Sequence, residues 1–124
     1  MDKLLKKEGL DLKLTPYKVI ATSNTSGLVE CVPNSVGLKQ VLDEHNRDIL
    51  HFFQQYARDD SAPLYVRPDI LETYVRSCAG YCVITYLLGI GDRHLDNLMM
   101  TRFGMTYFGF CECCLSFCRP PVSY

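Results

Sequence analysis

At 124 residues the chain has the length of one small domain, since domains run to roughly 100–150 residues, and two complete domains do not fit. Its 48% apolar and 22% charged residues describe a globular chain and exclude disorder or a collagen-like repeat. Thirteen Lys and Arg against fourteen Asp and Glu leave a net charge of −1, so no overall field draws the chain to nucleic acid, and no nucleic-acid partner is expected.

Met1 to Glu8 has neither an apolar h-region nor a small-residue cleavage site, so a secretory signal is not expected and a reducing, cytoplasmic setting is. Lys3 to Glu8 reads as the end of a helix, cut rather than capped at its start, with lysines in the last turn and Gly9 as the stop. Leu14 to Thr22 alternates, with Tyr17, Val19 and Ala21 on one face, and predicts a strand. Ser23 to Gly27 supplies turn chemistry, and Leu28 to Val32 predicts a second strand that Pro33-Asn34-Ser35 ends. The pair makes a hairpin leading into a connector.

Leu38, Val41, Leu42, Ile49, Phe52, Phe53 and Tyr56 keep helical spacing and predict one or two amphipathic helices. A loop follows from Asp59 to Pro68. Asp69 is the candidate N-cap of a long helix that runs to Leu88 and ends at Gly89. From Ala79 to Leu88 this helix is apolar nearly all round, which predicts burial on most sides. The apolar run Tyr81 to Ile90 is still far short of the ~20 residues that cross a bilayer.

Seven cysteines divide into two groups. Cys31, Cys78 and Cys82 sit in apolar segments and are expected as core thiols in a reducing compartment. Cys111, Cys113, Cys114 and Cys118 crowd a stretch with no clear period. Structural zinc draws paired ligands from two separated knuckles, so that cluster is a poor zinc site, and thiol acylation has still less to support it. An unselected tail is the reading adopted for it.

Gly89 to Met100 carries the chemistry: a carboxylate, an imidazole and an amide fall within Asp92-Arg93-His94-Leu95-Asp96-Asn97. Spacing alone is equally met by a polar loop whose Asp and Asn cap backbone groups. Gly91 to Asn97, however, resembles the catalytic loop of phosphatidylinositol 3-kinases and their relatives, a D-R-H-x-x-N pattern where protein kinases have H-R-D. Leu12 to Ser23 and Ser77 to Tyr86 resemble the class III enzymes in particular. The similarity covers residues 1–104 as a partial kinase domain, with 105–124 a non-family, cysteine- and aromatic-rich tail.

The resemblance implies roles for a few positions. Asn97 matches the amide that holds Mg²⁺, or Mn²⁺ in its place, against the phosphates of ATP. His94 matches the imidazole beside the inositol hydroxyl, and Asp92 the aspartate that orients this centre. Arg93 is expected to hold the loop by charge-assisted bonds. Glu30 and Val32 match the hinge between kinase lobes, where their backbone groups would meet adenine; an edge strand with no nucleotide would read the same way. In the full enzyme the implied reaction is transfer to the 3-hydroxyl of phosphatidylinositol at endosomal and autophagic membranes, with a pseudokinase-type regulatory subunit. The enzyme is expected to be cytoplasmic and peripheral on those membranes.

Departures from the pattern limit the activity expected. The family continues past Gly104 into a D-F-G motif, whose Asp is the second metal ligand, whereas here Met105 to Glu112 puts Phe110 or Tyr107 at that position. The glycine-rich phosphate loop, the phosphate-contacting Lys and the basic activation segment have no counterpart in these residues. The expected fold class is α+β, the hinge strands plus the first helices of a C-lobe, from a partial or alternatively spliced gene, with the fragment inactive alone. The alternatives are a non-catalytic fragment that binds partner helices through uncovered apolar faces, and an unfinished domain without function.

Overall fold

The computed structural model describes residues 1–91 and 94–108. Helix α1 spans Asp2–Lys7 and closes at Gly9, which adopts φ +78 while the Leu10 amide reaches back to the Leu5 carbonyl at 2.9 Å. The chain then crosses the face of a later helix before pairing β1, Val19–Ala21, with β2, Gly27–Val29. The predicted strand from Leu14 is therefore shorter than its alternation suggested. Pro16 has no N–H to give a ladder, and both backbone groups of Thr15 are taken by the Tyr81 hydroxyl, at 3.2 and 3.1 Å.

Strand β3, Ser35–Gly37, runs directly into α2, Leu38–Glu44, and α3 follows at Ile49–Tyr56. The break between the helices is set by Asn46 and Arg47 in left-handed conformations and by Asp48, whose carboxylate accepts the Leu50 amide at 2.8 Å. Helix α4 is Pro68–Leu88. Its cap position is Arg67 and not Asp69, because Pro68, with φ fixed and no N–H, suits the first helical residue. Asp69 lies in the first turn instead, where it meets the positive helix end and the Arg67 guanidinium at 2.5 Å.

A 3₁₀ turn, Leu95–Asn97, leads into β4, Leu98–Thr101, and β5, Thr106–Phe108, completes an antiparallel sheet in the order β3-β4-β5. The register aligns Ser35 with Thr101 and Gly37 with Met99 on one side of β4, and Met99 with Tyr107 on the other. Val41, Phe52, Phe53, Ala57, Val66, Ile70 and Met100 form the core where α2, α3 and α4 meet this sheet. The α+β class expected from the sequence is the class observed.

Two expectations about burial fail. Helix α4 buries only Ile70, Ser77 and Gly80 fully, while Val83 is 56% and Tyr86 85% exposed. One face rests on the sheet and on the segment at Leu12 and Leu14, which approaches so closely that a Cβ on Gly80 would meet a Leu14 methyl at 2.9 Å. Among the described residues nothing covers the opposite face near Leu88. The scattered thiols are likewise not core: Cys31 and Cys82 are exposed and Cys78 is half-buried. Cys31 lies in the open segment after β2, and Cys82 lies one turn along α4 towards its uncovered end.

Candidate functional site

Local chemistry explains how the loop is launched. Gly89 takes φ +60, its amide and that of Ile90 close on the Tyr86 and Thr85 carbonyls at 3.2 and 3.0 Å, and α4 stops. Asp92 and Arg93, expected to orient the centre and to hold the loop, lie outside the described residues. His94 occupies the cap of the 3₁₀ turn, and its carbonyl accepts the Asn97 amide at 3.0 Å. Asn97 is only 6% exposed, held at the entry of the central strand.

Around the turn a short chain of charges links loop and helix. His94 Nδ1 lies 3.5 Å from Asp96 Oδ2, and Asp96 Oδ1 lies 3.6 Å from the Lys39 ammonium in the first turn of α2. A polar cleft of about 370 Å³ opens beside them, lined by Lys39, Gln40, Asp43, Glu44 and Asp96 together with Gly37 and Met99. Lys39 was not among the residues the sequence nominated. Nothing local could have nominated it, because its link to Asp96 exists only through the tertiary pairing of β3 with β4.

The segment Glu30 to Val32 leaves β2 exposed at Glu30 and half-buried at Val32. The Glu30 amide donates to the Lys18 carbonyl at 2.8 Å, and the Val32 carbonyl accepts from the Ser35 hydroxyl at 2.7 Å. Among the described residues the complementary groups, the Glu30 carbonyl and the Val32 N–H, have no partner. Ser35 also pairs with Thr101, so this segment approaches β4 at the end away from Asn97. Four residues separate Asn97 from Thr101, about 14 Å at ~3.4 Å per residue if fully extended.

Tyr107, one of the two residues that the family resemblance sets at the position of the second metal ligand, faces inward from β5. It is 6% exposed, lies edge-on to Tyr17 at 6.0 Å, and burial pushes its phenol up. With Tyr74, Tyr81 and Met100 it also lines an apolar cavity of about 140 Å³ between α4 and the sheet.

The family model for phosphatidylinositol 3- and 4-kinases matches residues 1–109, most of the chain. The chain belongs to the phosphatidylinositol 3- and 4-kinase family. It is 52% identical over 113 residues to the root isoform of phosphatidylinositol 3-kinase from Glycine max, covering 89% of this chain and 14% of that protein. It is 52% identical over 107 residues to phosphatidylinositol 3-kinase VPS34 of Arabidopsis thaliana, covering 86% of this chain and 13% of the relative. The VPS34 protein of Saccharomyces cerevisiae is 49% identical over 104 residues, 84% of this chain and 12% of the relative. The chain thus spans about a seventh of the length of the curated relatives it matches. The family match takes in β5 at Thr106–Phe108, beyond the boundary at 104 expected from the sequence. Among the described residues no helix is long and apolar enough to cross a membrane.

Proposed function

We propose that this chain carries the hinge and catalytic-loop section of an ATP-dependent phosphatidylinositol 3-kinase, and that these 124 residues alone do not transfer phosphate. The observation that supports the reading best is the β3–β4 register, which pairs Ser35, three residues after Val32, with Thr101 on the same strand that Asn97 leads into. One acceptor and one donor two residues apart are the complement of the amino group and ring nitrogen on the edge of adenine.

At the other end, the donors suit Mg²⁺ or Mn²⁺: the Asn97 amide oxygen is hard, and such ions take few protein oxygens and fill the rest from phosphate and water. When bound, the ion would neutralise charge on the phosphates. His94 would accept the proton of the inositol 3-hydroxyl, Asp92 would orient the centre and Arg93 would hold the loop. The substrate would be presented on an endosomal or autophagic membrane surface, and the full enzyme would act there as a peripheral, cytoplasmic protein with a pseudokinase-type regulatory subunit.

Inactivity of the chain itself follows from what stands at the second metal position. Tyr107 is buried and held neutral, and Phe110 carries no donor, so neither replaces a carboxylate. Losing a preorganised electrostatic group of this kind commonly costs about 10²–10³ in rate. The test uses labelled ATP, Mg²⁺ and phosphatidylinositol vesicles with the chain alone and with a chimera joining residues 1–104 to a family N-lobe and a D-F-G-containing C-terminal portion. Turnover only in the chimera, abolished by Asn97→Ala, is the expected result. Turnover by the isolated chain, or an active chimera indifferent to Asn97→Ala, overturns it.

The uncovered end of α4 favours a second reading, a non-catalytic fragment that docks a partner helix on Val83, Tyr86 and Leu87. A stable complex formed without nucleotide, and lost in Tyr86→Asp, distinguishes it.

A further inference from the structure

The backbone of the loop fixes where the His94 ring hangs but not which of its nitrogens carries the proton. The Asn97 amide on the His94 carbonyl, at 3.0 Å, sets the 3₁₀ turn, and the ring then projects half-exposed from its cap. In a neutral imidazole one nitrogen is a donor and the other an acceptor, and the group facing one nitrogen decides the role of both. The group facing Nδ1 is the Asp96 carboxylate, with Oδ2 at 3.5 Å. A carboxylate is acceptor-only and negatively charged, so it favours N–H at Nδ1 and leaves the ring lone pair on Nε2. Asp96 is itself placed from outside the loop: its other oxygen lies 3.6 Å from Lys39, at the start of α2.

We propose that Asp96 is a positioning residue for His94, fixing the ring proton on Nδ1 so that Nε2 is the atom that handles the substrate proton, with Lys39 pinning the carboxylate to α2. The inference rests on the reading of His94 as the proton acceptor. In that reaction the hydroxyl proton passes to Nε2, the alkoxide oxygen forms a bond to the γ-phosphorus, and the bond from that phosphorus to the β–γ bridging oxygen breaks to release ADP. The imidazolium so formed keeps Asp96 as its counter-charge until the proton leaves to solvent, the logic by which a carboxylate serves a catalytic histidine elsewhere. Asp43 and Glu44 line the same cleft as Lys39 and Asp96.

The tautomer is measurable without turnover. The 124-residue chain is prepared with isotope-labelled histidine ring nitrogens, the three histidines are assigned with His94→Gln, His45→Gln and His51→Gln, and spectra are taken at mildly alkaline pH. The wild-type chain should hold His94 mostly as the Nδ1–H form. Asp96→Ala, at an exposed position, should shift the majority to the Nε2–H form that solvent-exposed imidazoles favour, with the amide spectrum of α4 and the sheet unchanged. A wild-type ring already dominated by Nε2–H, or a tautomer unmoved by Asp96→Ala, overturns the proposal, and the first needs no variant to fold. Failure of the kinase reading shows elsewhere, as a chimera whose turnover ignores Asn97→Ala, so the two failures are distinguishable.

Discussion

Tyr74 shows how burial acts on a single side chain. Its ring lies edge-on to Phe53 at 5.3 Å on the wall of the core, and burial, reinforced by the neighbouring Cys78 thiol, pushes its phenol up to about 12. Tyr81 and Tyr107 move the same way, chiefly through burial. An unfolded tyrosine titrates near ~10, so above that pH the unfolded chain binds fewer protons than the folded one and stability falls as pH rises. The contribution is fully present below the unfolded value and is lost as pH climbs through the folded one. The urea midpoint should therefore decline between about pH 10 and pH 12, and Tyr74→Phe, which keeps the ring, should decline less steeply. Equal slopes in the two proteins would contradict this account.

At the scale of elements, the β4–β5 hairpin is locked to α4 by two small residues. Ser77, fully buried, accepts the Thr106 amide at 3.0 Å and meets the Thr106 hydroxyl at 2.9 Å, while Gly104 in the turn takes φ +82 against the Ile70 carbonyl. A Cβ at Gly104 would overlap that carbonyl, which is backbone and cannot move aside cheaply. Gly104→Ala combines a left-handed alanine with overpacking and should cost about 2–4 kcal/mol in urea denaturation; a loss below about 1 kcal/mol would mean the turn relaxes away from α4. Little of this lock was legible beforehand, because β4 pairs with β3 from far earlier in the chain and no local signal announces it. What was legible is what local chemistry decides: the stop of α4 at Gly89, the stop of α1 at Gly9 and the helical spacing through Phe52 and Phe53. Asp69 misled as a cap because a preceding Pro moves the helix start back by itself.

Across the whole molecule the candidate site joins two parts of unequal firmness. Asn97 enters the central strand of a sheet in which Met100 and Thr101 are sealed, and its place in the sequence was visible from the D-R-H-x-x-N pattern. Lys39 was not visible, since only the β3–β4 pairing brings α2 to the loop. The apolar stretch at the end of α4 misled as a buried one because composition reports what a surface is suited to meet, and not whether the chain supplies it. The hinge end is held differently. Among the described residues β1 and β2 pair only with each other, and Val19, Ile20 and Leu28 are all more than half exposed, whereas an isolated two-stranded ribbon is marginally stable in water. Opening energies should therefore span from nearly nothing at the ribbon to the global value at β4. The comparison is between two amides of similar bond length: Glu30, which donates to the Lys18 carbonyl at 2.8 Å, and Thr101, which donates to the Met105 carbonyl at 2.8 Å. Thr101 should exchange only through global unfolding, with the full urea dependence, and Glu30 at least ~100-fold faster through a local opening insensitive to urea. Equal protection and equal urea dependence at the two sites would show one cooperative unit instead. If the difference is found, nucleotide bound between Val32 and Asn97 has a loose edge to order, and slowing of the Glu30 amide by Mg·ATP becomes a signature of binding that needs no turnover.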